Sequence, residues 1–120
     1  MIKIGILGSN GRVGALLIDD LQNDTEAQVA ACFVQNKLNK TVPEGTVVTN
    51  DMKTLCESSD IIIDFSKPDA TEELLTQIVE NGVKTPLVIA TTGFSKHQQN
   101  LLLEASKKVP VLYASNISLG

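Results

Sequence analysis

Residues 5–14 read GILGSNGRVG, directly after MIKI at 1–4. Ile2, Ile4, Ile6 and Leu7 lead in as an apolar run, and Val13, Leu16, Leu17 and Leu21 follow at helical spacing. The glycines at 8, 11 and 14 therefore stand where a strand gives way to a helix. A residue without Cβ permits a tight turn there and lets the backbone approach a bound group closely. The open N–H groups and the positive dipole end of the helix make its start an anion site, whose usual occupant is a dinucleotide pyrophosphate. The spacing departs from the common G-x-G-x-x-G, because Asn10 takes the place of the middle glycine. On this stretch alone, the competing reading is a glycine-rich turn that binds nothing.

The rest of the chain narrows the choice. At 120 residues it fits one domain with a real core, and no linker, repeat or low-complexity tract divides it. The net charge is −4, and the ten Lys and Arg form no basic run, so there is no electrostatic footprint for nucleic acid or an anionic membrane. A small molecule is the expected partner. The apolar stretches fall far short of the roughly 20 residues of a membrane helix. MIKIGIL lacks the cationic start and cleavage site of a signal peptide, which makes the cytoplasm the expected location. Cys32 falls in a predicted strand and Cys56 in a predicted helix, so both are read as reduced and structural. No metal-ligand set is expected.

Strands and helices alternate along the whole length. QVAACFV (28–34), TVVT (46–49), IIIDF (61–65), PLVIAT (86–91) and VPVLYA (109–114) read as strands two to six. Asp51 is placed to cap a short helix through DMKTLCE. Pro68, Asp69 and Glu72 open a helix whose stripe is Leu74, Leu75, Ile78 and Val79 and whose end is Asn81-Gly82. Ser95 and Gln98 form a capping-box pattern, and Lys107 and Lys108 are read into the last turn of that helix. This alternation implies parallel pairing with right-handed crossovers. The expected fold is an α/β doubly wound sheet of six strands, ordered 3-2-1-4-5-6, with helices on both faces.

In such a sheet ligands bind beyond the carboxyl ends of the strands, where the order reverses. The residues capable of chemistry gather there: Gly8 to Gly14 after strand one, Asp64 and Ser66 after strand four, Thr91, Thr92 and Gly93 after strand five, and Ser115 and Asn116 after strand six. Singly, each has an ordinary reading as a turn or cap residue, and capping is the expected role of Ser66 and Ser95. Their joint placement points to a ligand edge.

GILGSNGRVG, DFSKP, ATTGFS and ASNISLG, in this order and at these intervals, resemble the N-terminal cofactor domain of the 4-hydroxy-tetrahydrodipicolinate reductase family of lysine and diaminopimelate biosynthesis. The resemblance spans the chain. It implies reduction of a cyclic imino dicarboxylate with hydride from NADH or NADPH. It also implies that Gly8, Ser9, Asn10, Gly11, Arg12 and Val13 line the adenosine pyrophosphate. Phe65 and Ser66 would lie beside the nicotinamide, Ala90, Thr91 and Thr92 along its ribose, and Ala114, Ser115, Asn116 and Ile117 around the carboxamide. Ala90 stands where the family loop has glycine. The family's catalytic histidine and lysine segment lies in a second domain beyond SLG. No catalytic residue is therefore expected within these residues, and a homo-oligomer is the expected parent. His97, the one histidine, does not match the family's histidines and is read as a surface residue.

The expected role is thus to bind and orient a nicotinamide cofactor, the hydride chemistry being the cofactor's own. A free-standing NAD(P)-binding or redox-sensing module is the alternative from another class, and a nucleotide- or coenzyme A-binding Rossmann domain is a third. CFVQNK, the end of strand two and its sequel, holds no carboxylate that would select the ribose 2′-hydroxyl of NAD. With Arg12 and Lys37 nearby, NADPH is expected to bind at least as well as NADH.

Overall fold

A computed structural model of the chain describes residues 1–38 and 41–114. Strands β1 (Ile2–Leu7), β2 (Ala27–Phe33), β3 (Val47–Thr49), β4 (Ile61–Asp64), β5 (Leu87–Ile89) and β6 (Val111–Tyr113) alternate with helices α1 (Arg12–Leu21), α2 (Met52–Glu57), α3 (Pro68–Asn81) and α4 (Lys96–Ser106). Every strand pair is parallel, and the six-stranded sheet runs β3-β2-β1-β4-β5-β6, the order the sequence predicts.

Side chains alternate across the sheet, and the two faces carry separate cores. On one, Leu7, Ala31, Phe33, Ile62, Leu87 and Ile89 pack against Leu55 of α2, Leu74, Leu75 and Ile78 of α3 and Ala105 of α4. On the other, Ile4, Ile6, Val29 and Cys32 pack against Ile18 and Leu21 of α1, with Ile61 and Ile63 at the margin. Leu16, assigned by spacing to the inner stripe of α1, is 51% exposed, while Ile18 and Gly14 face the sheet in its place.

The helix ends show where local signals hold. Asp51 caps α2 by accepting from the Lys53 N–H, Ser95 and Gln98 complete a reciprocal capping box on α4, and Gly82 closes α3 in the left-handed conformation. Two expectations need correction. Lys107 is the C-cap of α4 and Lys108 lies beyond it, because the amides of both Lys108 and Val109 turn back to the Ala105 carbonyl and end the helix at Ser106. Ser66 caps nothing: Lys67 is the N-cap of α3, without a side-chain bond, and the Ser66 hydroxyl is held by Asp64 instead.

Candidate functional site

The sheet order reverses between β1 and β4, and a cleft of about 720 Å³ opens at their carboxyl ends. Its walls are the β1–α1 turn from Gly8 to Gly11, the stretch from Phe33 to Lys37 after β2, and Phe65, Ser66, Lys67, Asp69 and Ala70 at the start of α3.

The three glycines of the turn do three different jobs. Gly8 has φ +97°, and a Cβ there would come within 2.8 Å of the Phe65 carbonyl, so it is the tight turn and the contact with β4 at once. Its own carbonyl accepts from the Gly11 N–H at 3.0 Å. Gly14 is the packing residue: a Cβ on it would stand 2.2 Å from the Gly8 carbonyl oxygen. Gly11 is the exposed N-cap of α1, and no side chain caps this helix. The first N–H groups of a helix have no intrahelical carbonyl to meet, so an anion suits the position a capping side chain would otherwise fill.

Around this turn, Ser9 is buried, and its hydroxyl donates to the Ile6 carbonyl at 3.1 Å. It also lies against Cys32, where burial pushes the thiol up and the Ser9 contact partly opposes that. The Ser9 side chain is thus engaged within the fold. Cys56 is pushed up to about 11, by burial first and then by Glu57 and Asp51. Both cysteines are unbridged and buried. Asn10 is exposed and spans the cleft wall, its Nδ2 donating to the Lys37 carbonyl at 2.9 Å. Arg12 and Val13 begin α1 beside the turn and are not among the lining residues.

Beyond the cleft, Asp64 ends β4 fully buried and ties the neighbouring loops together. Its Oδ1 accepts from the Ser66 N–H at 2.8 Å and the Ser66 hydroxyl at 2.5 Å, and its Oδ2 accepts from the Thr71 hydroxyl on α3. The Thr71 and Thr91 hydroxyl oxygens stand 3.1 Å apart, which brings in the end of β5. Burial pushes the Asp64 carboxyl above the ordinary carboxylate range, while hydrogen bonds from Ser66, Thr71 and Thr91 oppose the shift.

The residues predicted for the site thus divide. Gly8, Ser9, Asn10, Gly11, Phe65 and Ser66 share one cleft. Thr91 is buried in the Asp64 network, Thr92 is exposed, and Ala90 donates its N–H to the Asp64 carbonyl at 2.9 Å. Ala114 follows β6, its N–H bonded to the Ile89 carbonyl at 2.8 Å; Ser115, Asn116 and Ile117 lie outside the described residues. His97 is exposed on α4. Sequence reasoning missed Lys67, Asp69 and Ala70 as lining residues. The signal was present: DFSKP sets a strand end against a helix start, the arrangement that marked the glycine turn. Among the described residues, no three His, Cys, Asp or Glu side chains group as metal ligands, and no helix is long and apolar enough to cross a membrane.

A parallel sheet with this strand order, with a glycine turn feeding a helix at the switch point, defines a Rossmann-type domain of the dinucleotide-binding class. The chain belongs to the family described as dihydrodipicolinate reductase, N-terminus, whose model matches residues 2–117. It is 69% identical over 120 residues to a 4-hydroxy-tetrahydrodipicolinate reductase of Aliarcobacter butzleri and 49% identical to one of Wolinella succinogenes. The match covers all of this chain but 47% and 46% of those proteins, so the chain spans about half the length of the curated relatives it matches. Among solved structures, a dipicolinate-bound dihydrodipicolinate reductase from Paenisporosarcina superposes with TM-score 0.76 at 22% identity, over 97% of this chain and 48% of that one. A Plasmodium falciparum pyrroline carboxylate reductase with NADP bound superposes with TM-score 0.64 at 19% identity, over 93% and 41%. These two share the fold.

Proposed function

We propose that residues 1–120 form the cofactor domain of a 4-hydroxy-tetrahydrodipicolinate reductase, binding NADPH or NADH in the cleft between the glycine turn and the start of α3. The observation that carries this is the uncapped start of α1 at Gly11, facing the switch-point cleft in a chain of this family. The bound dinucleotide supplies hydride. The chain's own part is to bind and orient it: the N–H groups around Gly11 meet the pyrophosphate, and the stretch from Gln35 to Lys37 meets the adenosine ribose. Phe65 and Ser66 border the nicotinamide end, with the Asp64 network fixing the loop that carries them. Arg12 and Val13, in the first turn of α1, flank the pyrophosphate. Ala90, Thr91 and Thr92, with 114–117, complete the nicotinamide side.

The groups that protonate the imine nitrogen and hold the two substrate carboxylates belong, in this reading, to the portion of the relatives that this chain does not match. The one histidine lies on α4, away from the cleft lining. The whole protein works in the cytoplasm as a homo-oligomer on a small cyclic dicarboxylate, without nucleic acid or membrane partners. The test is calorimetric titration of the 120-residue chain with NADPH, NADH and coenzyme A. Binding of the nicotinamide dinucleotides alone is expected; saturable coenzyme A binding with no dinucleotide binding overturns the reading. Substrate-dependent NADPH oxidation by these 120 residues alone would mean that the catalytic groups have been misplaced.

A further inference from the structure

Asn10 occupies the position that the common glycine motif gives to its middle glycine, and its side chain has a use there. Nδ2 reaches the main-chain carbonyl of Lys37, 27 residues away in sequence, and closes a 2.9 Å hydrogen bond between the β1–α1 turn and the stretch that follows β2. Both segments line the same cleft. Val34 is anchored through its N–H to the Thr49 carbonyl at 2.9 Å. Gln35, Asn36 and Lys37 beyond it are exposed, and the Asn10 bond holds the main chain of Lys37 just before Leu38 packs against the core on the α1 face. That segment follows β2 and carries Lys37 into the lining of the cleft, on the side where a Rossmann-type domain distinguishes a 2′-phosphate from a 2′-hydroxyl.

Resting on the cofactor reading above, we infer that Asn10 is a positioning residue for dinucleotide choice. Its side chain fixes the main chain at Lys37 so that the Lys37 ammonium is held toward the ribose 2′-position, which favours the phosphorylated cofactor. A lysine has a long, rotamer-rich side chain, and ordering it is an entropic cost of each ion pair it makes. Fixing the backbone from which it springs reduces what remains to be ordered on binding. A glycine at position 10 supplies the turn but no such tie.

The test measures NADPH and NADH dissociation constants for the 120-residue chain and for Asn10→Ala, Asn10→Asp, Lys37→Gln and the double variant Asn10→Ala/Lys37→Gln. Asn10 is exposed, and circular dichroism establishes that each variant is folded. Removing one hydrogen bond that orders a charged contact is expected to weaken NADPH about 3- to 10-fold. NADH, which lacks the 2′-phosphate, is expected to weaken by a smaller factor, so that the NADPH/NADH ratio falls. Asn10→Asp loses the donor and also brings a carboxylate to the pyrophosphate turn, so both cofactors should weaken, NADPH the more. In the Lys37→Gln background, Asn10→Ala should leave the NADPH/NADH ratio where Lys37→Gln put it, since the tie then positions no cation. Equal weakening of both cofactors, no change in either, or the same ratio shift with and without Lys37 overturns the inference while leaving the cofactor site standing. Failure of the parent chain to bind either dinucleotide overturns the site itself.

Discussion

Gly14 of α1 rests directly on the carbonyl oxygen of Gly8: a methyl group on Gly14 would stand 2.2 Å from that oxygen. The contact joins the helix to the turn that precedes it. Elsewhere in a helix interior, exchanging glycine for alanine gains about 1 kcal/mol of stability. Here the obstacle is backbone, which cannot rotate aside. Gly14→Ala is therefore expected to lose about 1 to 3 kcal/mol, the usual range for overpacking. Urea unfolding of parent and variant measures it, and a stabilised variant would show that α1 can lift from the turn at little cost.

Gly11 stands in contrast, because among the described residues, its chain neighbours aside, a Cβ there would meet just the Gly8 carbonyl oxygen, at 3.3 Å. Gly11→Asp should fold, its carboxylate even suiting a helix N-cap. That same carboxylate occupies the anion position, so the rise in melting temperature that NADPH gives the parent should vanish. A rise of parental size in the variant would remove the glycine turn from the site.

Cofactor choice follows from what β2 lacks at its end. Gln35→Asp sets a carboxylate beside the ribose 2′-position, where it would accept from a hydroxyl and repel a phosphate. NADPH is expected to bind the parent at least as well as NADH. The variant should move the ratio toward NADH about tenfold or more, the scale of one charge-assisted hydrogen bond. Titrations at low salt decide it, since screening shrinks the effect.

The buried Asp64 gives a pH dependence of definite sign. Its folded-state pKa lies above the ordinary value of 3.8, so between the two values the folded chain holds a proton that the unfolded chain has lost. Its contribution to stability is therefore full below about 3.8 and falls as pH rises through the folded value. Asp64→Asn keeps the shape but cannot ionise. The stability of the parent minus that of the variant should decrease from pH 4 toward neutrality. A difference that grows over that range would mean the hydrogen bonds from Ser66, Thr71 and Thr91 outweigh burial.

The strands and their order were legible because the apolar runs are short and well separated. Ile61 to Ile63 could only be an inner strand, and Pro68 and Gly82 bracket their helix by backbone constraint alone. Position along a helix was less legible. Leu16 and Ile18 are both apolar, and only the sheet decides which of them is buried. The ties that shape the site were not legible at all. Asn10 meets Lys37, and Asp64 reaches the β5 end through Thr71 and Thr91, across separations of 27 and 20 residues within the hydrogen-bonded pairs. No local pattern encodes such partners. The same blindness made Ser66 look like a cap: a serine just before a helix start reads alike whether its hydroxyl turns to the helix or to a buried carboxylate.

The position of β1 between β2 and β4 bears on how the chain is made. Synthesised before the other strands of the sheet, Ile2–Leu7 can pair with Ala27–Phe33 soon afterwards, but its other edge waits until Ile61–Asp64 has been made. Through that interval the nascent sheet presents a largely apolar strand with one row of amides and carbonyls unmatched, an invitation to pair with another chain. Slow translation between residues 34 and 61 would lengthen the exposure, and rapid translation of the same stretch would shorten it.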